Sequence, residues 1–172
     1  MATDMTTTGQ AARFSGPARL GALIAAVVLV ADQVLKLALL HGAGLTETNG
    51  FRLAPFLDIV LVWNRGISYG LFQQETAVGR WGLAALTVVA VVALGVWLSR
   101  VRHWLAAVSL GLVIGGAIGN GIDRIWYGAV VDFVHFYVGS FSWYVFNIAD
   151  VAIVAGAAGL VLDSLRGRSG RQ

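Results

Sequence analysis

The chain has no cysteine. Disulfides, thiolate nucleophiles, cysteine metal ligands and lipid attachment to a Cys side chain are thereby excluded. Charge is scarce as well. Only 12% of the 172 residues are Asp, Glu, Lys or Arg, about half the roughly 25% usual in soluble domains. What remains is apolar: hydrophobic residues make up 58% of the chain, and the mean hydropathy is +0.76. These values point to a single membrane-embedded unit with no room for a second domain. The net charge of +3 and pI near 9.8 belong to helix flanks. No run of Lys and Arg reaches the density of a nucleic-acid patch, so nucleic acid is not an expected partner.

Four stretches, 18–40, 78–98, 104–125 and 142–165, are apolar and long enough to cross a bilayer, which takes about 20 residues. The first is too long for a cleavable signal peptide and contains Asp32 and Lys36, where such a peptide needs an unbroken apolar run. Arg13 precedes the first stretch and Arg19 stands at its start. Arg100 and Arg102 separate the second from the third, and Arg166, Arg168 and Arg171 follow the fourth. The positive-inside rule then puts both termini in the cytoplasm and segments 41–77 and 126–141 outside.

Those outer segments are strand-like. One has the Asn49-Gly50 turn, Pro55 and then an apolar run over 56–63. The other, AVVDFVHFYVG, closes on Gly139. Both carry the β-branched and aromatic residues of strands. Trp63, Trp81, Trp126 and Trp143 fall near outer span ends, at the depth amphipathic rings prefer. The expected fold is an all-α membrane protein of four transmembrane helices, with a small extracytoplasmic β cradle on the outer leaflet. The polar segment 2–16 is expected to be disordered.

An ionised residue at mid-bilayer costs on the order of 3 kcal/mol, so the placement of polar residues is informative. Asp32 and Lys36 lie four apart on one face of the first span. Asn120, Asp123 and Arg124 end the third span, and Asn147 and Asp150 lie in the outer third of the fourth. Three spans thus bring polar groups to one level. Gly111, Gly115 and Gly119 recur every four residues, a small-xxx-small ladder that lets helices approach closely.

Between Val130 and Asp150 there are two aspartates and no Lys or Arg. Two neighbouring carboxylates do not both ionise easily, so one keeps a proton near neutral pH. One then serves as base toward water while the other protonates a scissile carbonyl. The alternative is a solvated Asp132 and an Asp150 paired with a cation from another span. Asp32 and Lys36 read as a structural ion pair. Asp123 and Arg124 suit an interfacial salt bridge, or Arg124 grips a substrate oxygen with its fork. Asn64 is a good turn residue before Gly66. Asn120 and Asn147 either bond across helices or hold a peptide backbone. His135 follows Asp132 by three residues, but no HExxH or Cys/His cluster accompanies it, and no metal or other cofactor is expected. Two rival readings are a proton relay through Asp32, Lys36 and Asp150, and a non-enzymatic assembly protein.

Five motifs stand in order: DQVLK from Asp32, NRGISYG from Asn64, GGAIGNGIDR from Gly115, VVDF from Val130 and FNIAD from Phe146. Together with the four-span plan they resemble the lipoprotein signal peptidases, or signal peptidase II. The resemblance implies a membrane aspartyl endopeptidase of the bacterial inner membrane, with its active site near the outer leaflet. It would cut signal peptides from diacylglyceryl-modified prolipoproteins, just before the lipidated cysteine. It puts the catalytic aspartates on Asp132 and Asp150, and a substrate- and inhibitor-binding role on Asn64, Asn120, Arg124 and Asn147. Asp32, Lys36, Gly66 and Asp123 are then structural supports. It further implies contact with membrane lipid, inhibition by the cyclic peptide globomycin, and a monomer. Ile67-Ser68-Tyr69 stands where the family often has Ala-Ala-Phe, a departure that bears on substrate preference and not on the aspartates.

Overall fold

The computed structural model describes residues 16–66 and 77–169. The N-terminal segment and Ile67-Ser68-Tyr69 lie outside them. Four long helices, α1 (Gly16–Leu37), α2 (Ala77–Arg100), α3 (Trp104–Trp126) and α4 (Ile148–Ser169), carry four short strands at one end. The strands are β1 (Phe51–Ala54), β2 (Leu57–Asn64), β3 (Val130–Val138) and β4 (Phe141–Ser142), paired antiparallel in the order β1-β2-β3-β4. All four helices are long and apolar enough to span a membrane. Leu23, Val27, Val30 and Val34 leave an exposed stripe along α1 at three- and four-residue spacing, as a lipid-facing helix requires.

Small residues make α3 the central helix. A Cβ on Gly111 would strike the carbonyl of Gly21, and one on Gly115 would lie 2.5 Å from the carbonyl oxygen of Ala25, both on α1. On the neighbouring face a Cβ on Gly116 would come within 2.5 Å of the Ala149 oxygen of α4. The glycine ladder therefore lets two helices approach α3 to backbone contact.

Two apolar clusters hold the ends. Leu98, Ala107, Leu110 and Ile114 pack where α2 turns into α3. Leu45, Ile59, Leu61, Val131 and Phe133 pack between the sheet and the end of α1. Val131 and Phe133 anchor one face of β3, so strand alternation turns Asp132 to the other face, where Asn64 and Asn147 meet it.

Helix α4 starts at Ile148, six residues later than the expected fourth span. The residues before it are extended and pair with β3: Phe146 and Val134 exchange backbone hydrogen bonds of 3.0 and 2.8 Å, and the Trp143 amide donates to the Phe136 oxygen. Asn147 then opens the helix with a capping box. Its Oδ1 accepts from the Asp150 amide at 3.0 Å, and its own amide donates to Asp150 Oδ2 at 3.3 Å. Strand β1 was not expected. Its four residues form the sheet edge, and it pairs only with β2 among the described residues.

Candidate active site

The polar residues of α1, α3, β2, β3 and α4 meet in one network beneath the sheet. Asp132 is buried on β3. Its Oδ1 accepts from Asn147 Nδ2 at 2.6 Å and its Oδ2 from Asn64 Nδ2 at 3.0 Å. Asn64 ends β2 in register with Val130, which brings its amide alongside Asp132. Asp150 sits on the first turn of α4, and its Oδ1 accepts from Asn120 Nδ2 at 2.8 Å. Asn147 Nδ2 also reaches Asn120 Oδ1 at 3.1 Å. The two carboxylates are thus joined through the side chains of Asn147 and Asn120.

Asn120 has one orientation in this network. Its oxygen accepts from Lys36 Nζ at 3.2 Å, so its nitrogen must face Asp150. Lys36, the chain's single lysine, is buried between two carboxylates, 2.8 Å from Asp32 and 2.7 Å from Asp123. Its three protons match these three acceptors. Removing one member of such a buried cluster strands the others, at a cost of about 3–5 kcal/mol.

The carboxylates of the cluster also reach the backbone beside each aspartate of the pair. Asp32 Oδ1 accepts from the Ala149 amide at 3.1 Å, next to Asp150. Asp123 Oδ2 accepts from the Val131 amide at 3.1 Å, next to Asp132. Gln33, to which sequence reasoning assigned no role, joins the cluster by donating to Asp123 Oδ1 at 3.0 Å and to the Gly119 oxygen at 3.2 Å. The available signal was an amide inside an apolar run.

One expected contact differs. Asp123 pairs with Lys36 and not with Arg124, because consecutive helical residues point about 100° apart. Asp123 faces α1, while Arg124 lines the cleft. Asn120 and Asn147 bond across elements, one of the two readings of these amides, and donate to the two aspartates. His135 lies on the opposite face of β3 from Asp132, with Nε2 2.8 Å from Ser142 Oγ and its ring against Tyr137.

A cleft of about 250 Å³ opens onto this network. Asn64, Asn120, Arg124 and Asp150 form its polar end, and Thr87, Ala117, Ile153 and Val154 its apolar floor. Tyr144 and Val130 complete the wall. Among the described residues, the Arg124 guanidinium makes long contacts, 3.4 Å from Nη1 to the Asn120 oxygen and 3.4 Å from Nη2 to the Gly66 oxygen. Its remaining donors meet no acceptor among the described residues and lie at the cleft. Gly66 in turn donates its amide to Asn64 Oδ1 at 3.1 Å, which steadies that side chain.

The electrostatics favour a shared proton. Burial, and then the negative charge of Asp150, push the Asp132 carboxyl up to about 7, against the amide donors Asn64 and Asn147. The arrangement can hold one proton on the pair and present Asp150 to the cleft. Among the described residues, no three His, Asp or Glu side chains converge as metal ligands would.

Comparison with known proteins agrees with this chemistry. A family model described as signal peptidase (SPase) II matches residues 24–166. The chain is 56% identical over 149 residues to a lipoprotein signal peptidase of Methylobacterium radiotolerans, covering 87% of each chain. It is 57% identical over 148 residues to one of Methylorubrum extorquens, covering 86% of each. A solved bacterial membrane enzyme, determined by the in meso method at 2.3 Å resolution, superposes with a TM-score of 0.78 at 26% identity, over 88% of this chain and 91% of that one. The family match covers all five motifs and reaches into all four spans, and the chain belongs to the signal peptidase II family.

Proposed function

We propose that Asp132 and Asp150 are the catalytic dyad with which this signal peptidase II cuts the signal peptide from diacylglyceryl-modified prolipoproteins, just before the lipidated cysteine. The observation that carries the assignment is the pairing itself. Two carboxylates from different elements are joined through Asn147 and Asn120, with Asp150 facing the cleft.

The reaction follows from where the proton sits. With the proton on Asp132, Asp150 is the carboxylate that takes a proton from water as the water oxygen attacks the scissile carbonyl carbon. Asp132 gives its proton to the carbonyl oxygen, and a neutral gem-diol forms. Collapse of the gem-diol breaks the C–N bond. The leaving nitrogen takes the proton held by Asp150, and one diol proton returns to Asp132. The dyad ends as it began, without a covalent intermediate.

The cleft suits an embedded substrate. Its apolar floor is shared by α2, α3 and α4, and α2 and α4 flank α3. A signal helix enters sideways from lipid between α2 and α4, with its cleavage site at the polar end and the sheet as a cradle above it. Arg124 and Asn64 then reach backbone oxygens of the extended peptide, and globomycin competes for the same groups. The enzyme works as a monomer in the bacterial inner membrane, with the dyad near the outer leaflet. A proton relay would need polar groups through the full depth. Among the described residues, Ser109 is the one buried polar side chain toward the other end of the bundle.

The test is cleavage of a diacylglyceryl-modified prolipoprotein by purified protein, followed by gel shift. Asp132→Asn and Asp150→Asn should each lose about a thousandfold or more while remaining folded. Asp123→Asn should be weakened but active. Cutting by Asp132→Asn with a dead Asp123→Asn would move the dyad to Asp123 and Asp150.

A further inference from the structure

We infer that Arg80 is a positioning residue that fixes the end of α3 and, through it, the guanidinium of Arg124 at the cleft. The inference rests on the peptidase reading for its kinetic consequence, and on geometry alone for the contact.

Arg80 lies in the first turns of α2, where the positive end of the helix dipole disfavours a cation. It is turned toward the opposite pole of a neighbouring helix. Its Nε donates to the Arg124 oxygen at 2.9 Å, and its Nη2 donates to the Ile125 oxygen. These are among the last carbonyls of α3, which have no partner within their own helix. The Arg124 oxygen also accepts from the Gly128 amide at 3.2 Å, and the Asp123 oxygen from the Tyr127 amide at 2.7 Å. The guanidinium lies against the turn that follows α3. Gly128 has a φ of +79°, and a Cβ there would sit 3.4 Å from Arg80 Nη1. Trp81 covers Arg80 on one side, with the guanidinium carbon 5.3 Å from its ring centre.

The consequence concerns Arg124. Its side-chain contacts to the described residues are both 3.4 Å long, near the outer limit of a hydrogen bond. Its position is therefore set from its backbone, and Arg80 is bonded to that backbone. Arg80 also holds α2 against α3 at the open end of the bundle. Thr87, two turns along α2, forms part of the cleft floor, so the same contact sets the width between that floor and Arg124. A reacting geometry loosened by about 1 Å can cost a hundredfold in rate.

Four variants in the full-length protein in micelles test this: Arg80→Met, Arg80→Lys, Arg124→Met and the double Arg80→Met/Arg124→Met. On lipidated prolipoprotein, Arg80→Met should lower kcat/KM by roughly tenfold to a hundredfold. Arg80→Lys, whose ammonium still donates to helix-terminal carbonyls, should recover most of it. In the Arg124→Met background, loss of Arg80 should change kcat/KM by less than about twofold. An Arg80→Met enzyme as active as wild type, or a loss that multiplies fully with that of Arg124→Met, overturns the inference. A second readout needs no catalysis. Amide exchange at Tyr127 and Gly128 should accelerate roughly tenfold in Arg80→Met and stay unchanged in Arg124→Met. If the wild type does not cut the lipidated substrate, the peptidase reading fails, and unchanged exchange in Arg80→Met would separately sink the clasp.

Discussion

Asp132 and Asp150 are held by amides, with no cation in direct contact with either among the described residues. Amide donors orient a carboxylate without compelling it to stay ionised, whereas an ion pair would. That difference sets a pH dependence. The Asp132 carboxyl is pushed up to about 7, by burial first and by Asp150 second. In the proposed mechanism, below that value the pair keeps the proton it needs for the carbonyl oxygen. As pH rises through it, the proton is lost, the dyad carries two charges, and no acid remains. We therefore expect single-turnover cleavage to fall about tenfold per unit above roughly pH 7. A rate that stays level to pH 9 would contradict the assignment of the acid to Asp132. At this scale the depth of each polar residue was legible in the sequence, because an apolar span makes every polar position conspicuous. The partners were not. Asp123 beside Arg124 reads as a pair along the chain, yet the helix turns the two apart, and the partner of Asp123 lies 87 residues away at Lys36.

Helices α1 and α4 reach α3 because α3 lacks side chains where they cross. Gly116 and Gly95 make a controlled comparison. A Cβ on Gly116 would lie 2.5 Å from the Ala149 oxygen, and α4 must move to make room. Ala149 is the residue before Asp150, so the displacement reaches the dyad. Gly95, on α2, has nothing within 4 Å of such a Cβ. Gly116→Ala should destabilise by about 1–3 kcal/mol and reduce cleavage at least in proportion. Gly95→Ala should stabilise by about 0.5–1 kcal/mol, through helix propensity alone. Thermal unfolding in detergent measures both, and a harmless Gly116→Ala would show that α4 is not seated by backbone contact. The ladder itself was legible as a repeat of four. The start of α4 was not, because Ser142 to Asn147 is apolar enough to read as membrane span. Hydropathy does not report that the backbone of Phe146 is already committed to β3. Strand β1 was illegible for a related reason: four residues at a sheet edge are defined by their partner strand, and periodicity needs a longer run.

For the whole molecule, orientation decides whether the dyad faces the compartment in which its substrate presents its cleavage site. The fold requires that all sheet residues share one side, since β1 and β2 lie between α1 and α2, and β3 and β4 between α3 and α4. The connection from α2 to α3 must lie on the opposite side, with Arg100 and Arg102 beside it. By the positive-inside rule we propose that this side is the cytoplasmic one. Absence of cysteine turns this into a clean measurement, because any thiol introduced is the only one present. Ser140→Cys, exposed in the turn between β3 and β4, and Ser99→Cys, exposed near the far end of α2, sample the two sides. In intact cells, a membrane-impermeant maleimide should label Ser140→Cys fully. Ser99→Cys should react only after the membrane is opened. The reverse pattern would place the dyad on the cytoplasmic side, where a lipidated precursor with its cleavage site at the outer leaflet could not reach it. Both variants should retain cleavage, because neither residue touches the cleft or the Lys36 cluster, so labelling and activity can be read from the same preparation.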